Sequence, residues 1–302
     1  MKHKLILLTA LLTISLSSNA FERERFRAKI KEKLENRLTH SDNVKTEFEN
    51  ISYGNHQRQK IDVYPSKVIN SEMHPIIIMV HGGGWKRGDK EASDVVDNKV
   101  NYYTNKGFIL VSVNYRLTPE VTPYEQAQDI GKAIKYVQKN ASSWNGNLNK
   151  VVLMGHSAGA HLVTLVTADA GKVFAKNTIP WLGTISLDGA GVDIEKSMAT
   201  QQPKLLDEIY DNAFGNDPLL WKSVSPMAKI NNKSYPLLMI CSISRPDKPC
   251  EDTKNFVEKA KGLSVKAEIF PVKMNHGEIN KSLGLNNELT KRVDFFLKQI
   301  GV

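Results

Sequence analysis

The sequence predicts an α/β fold: a mostly parallel central sheet with helices on both faces and a small lid insertion. Three observations carry that expectation. Short continuous apolar runs at residues 76–80, 108–113 and 151–154 read as fully buried strands, and stretches of helical spacing at 92–105 and 124–140 separate them. Strands alternating with helices argue for a parallel sheet covered on both sides. A glycine-flanked serine, GHSAG at 155–159, directly follows the third run, and residues 158–168 then offer apolar positions at helical spacing. With 302 residues and no internal repeat, the chain has length enough for one large core.

Residues 1–20 carry Lys2 and Lys4, an apolar run at 5–16, and the small residues Ser17, Ser18 and Ala20. This is the pattern of a secretory signal cleaved after Ala20, and its apolar run is shorter than the roughly 20 residues needed to span a bilayer. Export to a periplasm or beyond is the expectation. Residues 21–45 read as a charged amphipathic helix and linker, with Phe26, Ile30, Leu34 and Leu38 as a narrow apolar stripe among arginines, lysines and glutamates. Docking of that stripe against protein is expected; contact with an anionic membrane surface is the alternative. The formal net charge is +9, but beyond this helix the excess is diffuse, so nucleic acid is not an expected partner.

The remaining segment, 46–302, opens with residues 47–53 and 59–64, which alternate apolar and polar positions around Gly54 and Asn55. They read as an antiparallel hairpin leading into the sheet. Further strands are expected at 183–187, 237–242 and 265–270, and a last helix at 287–300 with Leu289, Val293, Phe296 and Leu297 on one face. The insertion at about 189–234, which contains the stretches 205–214 and 218–221, falls where ligand sites of such sheets form and reads as a lid. Packing is the expected use of its aromatic residues Tyr210, Phe214 and Trp221, with lining of a pocket as the other reading. Cys241 ends one strand and Cys250 lies in the loop after it. An exported chain permits a disulfide between them, and two buried free thiols are the alternative.

Chemistry converges on Ser157. Glycines on both sides of a serine at a strand-to-helix turn let the backbone strain and expose the hydroxyl as a nucleophile. His81, Gly82, Gly83, Gly84 and Trp85 follow the strand at 76–80, and three consecutive glycines fit a backbone that must approach something closely. The amides of Gly83, Gly84 and Ala158 are the candidate oxyanion hole, worth roughly 3–4 kcal/mol per donor. Of eight histidines only His161 and His276 follow the serine. His161 lies four residues on, along the helix, where it reads as a packing or hydrogen-bonding residue, so His276, in a loop after the last strand, is the candidate base. His81 is expected to brace the glycine loop and His156 to point elsewhere. For the orienting acid, Asp247 in the loop after the strand at 237–242 is best placed. Asp188 and Asp193, after the preceding strand, come next, and Asp252 reads as the start of a helix.

The stretches HGGGWKRGDK, VNYRLTPE, GHSAGAHL and NHGEINKSLG together resemble the α/β-hydrolase superfamily, in its hormone-sensitive-lipase-like and feruloyl-esterase-like or kynurenine-formamidase-like branches. The resemblance implies an α/β-hydrolase fold and ester or amide hydrolysis through an acyl-serine intermediate, with no metal or cofactor; an exported serine carboxylesterase is the expected form. It places the triad on Ser157, Asp247 and His276. The acid loop, SRPDKPCED, departs from the glycine-and-aspartate pattern usual there. A small-molecule or polysaccharide-linked ester is the substrate expected of an exported member. Hydrolysis of an N-formyl aryl amide and a non-catalytic binding module on the same scaffold are the alternatives.

Overall fold

The computed structural model describes Val44 and residues 46–302, except Ala190 and residues 201–203. The expected signal at 1–20 and, but for Val44, the charged helix and linker at 21–45 lie outside the described residues. Eight strands form one sheet: β1 (Phe48–Ser52), β2 (Lys60–Tyr64), β3 (His74–Val80), β4 (Ile109–Val113), β5 (Gly146–His156), β6 (Gly183–Leu187), β7 (Leu237–Ser242) and β8 (Ala267–Val272). Their order is β1-β2-β4-β3-β5-β6-β7-β8. The first hairpin runs antiparallel and β2 joins β4 antiparallel, while β3 to β8 are mutually parallel.

The helices are α1 (Ser93–Asn105), α2 (Pro123–Asn140), α3 (Ala158–Ala168), α4 (Ile194–Ala199), α5 (Lys204–Phe214), α6 (Pro218–Val224), α7 (Pro226–Lys229), α8 (Pro249–Gly262), α9 (His276–Ser282) and α10 (Glu288–Gln299). Alternation along β3 assigns its two faces: Ile76, Ile78 and Val80 join the core beneath α2 and α3, and Ile77 and Met79 are buried on the other side. α2 starts where Thr122 and Glu125 form a capping box ahead of Pro123. The lid helices α4 to α7 occupy the insertion after β6.

Register decides where the functional loops emerge. Val80 pairs with Gly155, His156 with Leu187, and Ser242 with Val272, so β3, β5, β6, β7 and β8 all end at one edge of the sheet. The turn after β5 carries the serine. Ser157 sits at φ 56°, in the left-handed region, and its amide donates to Leu187 O at 3.1 Å. A Cβ on Gly155 would lie 2.4 Å from Gly159 O, and one on Gly159 would lie 2.3 Å from Val80 O. Both glycines are therefore required for α3, buried along its whole length, to seat against β3. Gly155→Ala is expected to cost about 1–3 kcal/mol through overpacking against backbone that cannot yield. Urea unfolding that leaves the midpoint unchanged would refute this account of the turn.

Candidate active site

His276 opens α9, and Asn275 with Glu278 caps it reciprocally: Asn275 Oδ1 accepts from Glu278 N at 2.9 Å, and Glu278 Oε2 accepts from Asn275 N at 2.8 Å. The histidine therefore stands on a helix N-terminus rather than in the expected loop. The buried Lys99 of α1 anchors the far end of α9, its Nζ donating to Asn280 O at 2.6 Å. Burial pushes that amine down to about 7, against the opposing charges of Asp94 and Asp97. His276 Nδ1 donates to Asp188 Oδ2 at 2.6 Å, which fixes the tautomer and leaves Nε2 as the free ring nitrogen. Among the described residues, Nε2 makes no hydrogen bond with Ser157 Oγ; such bonds commonly tighten only with substrate in place.

The acid beside His276 is thus Asp188, and the expected assignment of Asp247 is corrected by geometry. Asp188 follows β6 directly, is fully buried, and accepts Ser242 N on Oδ1 at 2.8 Å and Arg245 Nη1 on Oδ2 at 2.9 Å. Burial alone would raise this carboxyl, but the bond from His276, the Arg245 charge and the Ser242 amide together hold it below the usual carboxylate range. Asp247 is held by Arg245 instead, which donates through Nε at 3.0 Å and through Nη2. The guanidinium stands where an acid from this loop would have to reach. Asp193 caps α4 by accepting Lys196 N, and Asp252 lies in the first turn of α8, where it pairs with Lys196. Cys241 and Cys250 form a disulfide, with Cα atoms 5.3 Å apart, closing the loop that carries Arg245 and Asp247.

The glycine loop passes directly over the serine. A Cβ on Gly82 would lie 2.9 Å from both Ser157 Cβ and His156 O, while Gly83 and Gly84 take φ values of 119° and 59° that favour glycine. Gly82, the glycine of this loop that meets Ser157, is not among the expected oxyanion residues; the triple glycine is its only signal. The Ala158 amide, first in its helix, has no intrahelical acceptor and is free to point at a ligand. His81 braces the loop as expected, with Nδ1 donating to Gly82 O at 2.7 Å and its ring stacked on Tyr115 at 4.5 Å. His156 turns away from the serine and donates through Nε2 to His276 O at 2.9 Å.

Trp85 ties the loop to the lid. Its Nε1 donates to His161 Nδ1 at 3.1 Å, and His161 Nε2 in turn donates to Val224 O at 2.8 Å. Phe214 and Tyr210 pack edge-on against the indole at 4.7 and 5.6 Å. Both are therefore packing residues. Trp221 Nε1 donates to Phe214 O at 3.1 Å and stitches α6 to α5. Ile209 of α5 approaches Gly84, 3.2 Å from where its Cβ would stand.

This strand order, with a strained serine after β5 and a histidine after β8, defines an α/β-hydrolase fold. The BD-FAE family model matches residues 61–259, and the chain belongs to that family. It is 25% identical over 72% of its length to an isoprenylcysteine alpha-carbonyl methylesterase of Arabidopsis thaliana, and 23% identical over 71% to esterase LipC of Mycobacterium tuberculosis. It spans about half the length of each of these two relatives, 53% and 55%. A kynurenine formamidase of Salmo salar is 24% identical, with 74% of this chain and 72% of that protein covered. Among solved structures, a truncated carbohydrate esterase from gut microbiota superposes with a TM-score of 0.70 at 19% identity, covering 86% of this chain and 97% of the other. Thermogutta terrifontis esterase 2 follows with 0.67 at 21%, covering 80% and 90%.

Burial keeps the bracing histidines neutral at ordinary pH: His81 and His161 are pushed down to about 4 and His156 to about 3. A base with a lower pKa in the folded state binds fewer protons there, so between about 6.5 and 4 the unfolded chain takes up protons the folded one refuses. Stability is therefore expected to fall as pH drops through that window, by on the order of 1 kcal/mol per pH unit for each histidine. His161→Gln should remove one share of the slope in urea unfolding followed from pH 7 to 4. An unchanged slope would show that His161 is not a source of it.

Proposed function

We propose that this protein is an exported serine carboxylesterase in which Ser157, His276 and Asp188 act together. The observation that carries the reading is the bond between His276 Nδ1 and Asp188, which leaves Nε2 free on the same sheet edge as Ser157, in the nucleophile elbow between β5 and α3. In the proposed reaction His276 Nε2 takes the Ser157 hydroxyl proton as Oγ bonds to the acyl carbon. The amides of Gly83, Gly84 and Ala158 receive the developing oxyanion. The proton then passes from Nε2 to the departing alkoxide as the carbon–oxygen bond breaks, and water repeats the sequence to free the acid. Asp188 orients the imidazole and balances the imidazolium without itself taking the proton.

The esterase relatives support ester hydrolysis, and the signal-like residues 1–20 together with the Cys241–Cys250 disulfide support export to an oxidising compartment. A second reading, hydrolysis of an N-formyl aryl amide, is favoured by the kynurenine formamidase relative, which aligns over most of both chains. Rates on p-nitrophenyl acetate and N-formylkynurenine separate the two. On the better substrate, Ser157→Ala and Asp188→Asn are each expected to lower kcat on the order of 10³–10⁴-fold. Asp247→Asn should lose no more than about tenfold, since its carboxylate meets the histidine only through Arg245. Full activity in Ser157→Ala would overturn the mechanism, and a larger loss in Asp247→Asn than in Asp188→Asn would return the acid role to Asp247.

A further inference from the structure

Arg245 occupies a position that catalysis by the three proposed residues does not itself require. Its side chain is 13% exposed and its guanidinium lies between two carboxylates, with Nη1 on Asp188 Oδ2 at 2.9 Å and Nε and Nη2 on Asp247. Nη1 is also 3.2 Å from His276 Nδ1. Because Nδ1 already donates to Asp188, this last approach sets one donor against another. A lone cation there would oppose the imidazolium that must form during the reaction. Asp247 cancels it: with a neutral imidazole the four groups carry the same net charge as an aspartate–histidine pair alone. What Arg245 then adds is geometry, a second fixed donor on the oxygen that must hold His276.

The loop is built to keep it there. The Cys241–Cys250 disulfide closes it at both ends, Ser242 N donates to Asp188, and Ser242 Oγ donates at 2.6 Å to Met274 O, just before His276. We propose that Arg245 is a positioning residue for the Asp188–His276 pair and that Asp247 serves to neutralise it. This rests on the triad reading above.

The test is a double-mutant cycle on the full-length protein with the ester substrate. Arg245→Met and Asp247→Asn are each expected to lower kcat about tenfold with KM changed less than about twofold, and the double variant should match Arg245→Met rather than show multiplied losses. Arg245→Lys should recover part of the loss, because an ammonium keeps one of the bonds. The downfield proton resonance of His276 Nδ1–H should shift in Arg245→Met and stay in place in a distant surface variant of equal stability. Wild-type kcat in Arg245→Met, losses that multiply, or an effect confined to KM would overturn the proposal. Should Asp188→Asn keep wild-type kcat, the triad reading fails first, whatever Arg245 does.

Discussion

The buried carboxylate of Asp188 is the constraint around which the edge of the sheet is arranged. An ionised group with no solvent contact is costly unless donors surround it. Here three arrive from three separate segments: the Ser242 amide from the end of β7, the Arg245 guanidinium from the loop beyond, and His276 from the start of α9. Each donor satisfies the carboxylate, and each is itself oriented by doing so. Loss of any one leaves the others aimed at an under-satisfied charge, so the site is held more firmly than its loop location suggests.

A second set of contacts fixes the serine side. The Gly155–Gly159 close approach seats α3 on β3, and Gly82 then passes over Ser157 with no room for a side chain. Trp85 carries this rigidity outward, since its bond to His161 and that residue's bond to Val224 O join the glycine loop, the elbow helix and the lid in one chain of neutral donors and acceptors. Neutrality matters here. A protonated His161 could not accept from the indole, so the low proton affinity imposed by burial is what allows the network to form.

Much of this was legible in the sequence because it depends on local pattern. Apolar runs bounded by glycine located the strands, and the elbow and glycine loop stand next to strands in a way that only close packing explains. Elimination singles out His276 as the candidate base, but it stands on a helix rather than in a loop: N-H-G-E is a capping box, and an asparagine three residues before a glutamate signals a helix start. The acid was harder. Asp188 and Asp247 both follow strands that end at the same edge, and no periodicity separates them. The deciding quantity is which carboxylate His276 Nδ1 reaches, since Arg245 pairs with both, and that is a tertiary fact.

Register explains why the nearer strand can serve. β6 pairs directly with β5, with His156 opposite Leu187 and Ser157 N bonded to Leu187 O, so the residue after Leu187 is already level with the serine. Asp188 needs only a single left-handed residue, φ 48°, to leave the strand where its carboxylate meets the Ser242 amide. β7 lies one strand further out, and its loop reaches the same place with Arg245, 3.2 Å from His276 Nδ1, rather than with a carboxylate. With Asp188 already bonded to His276, the β7 loop is released from supplying one. The loop is closed by a disulfide and carries a charge-balanced arginine–aspartate pair, which suits it to hold the acid in place rather than to supply it.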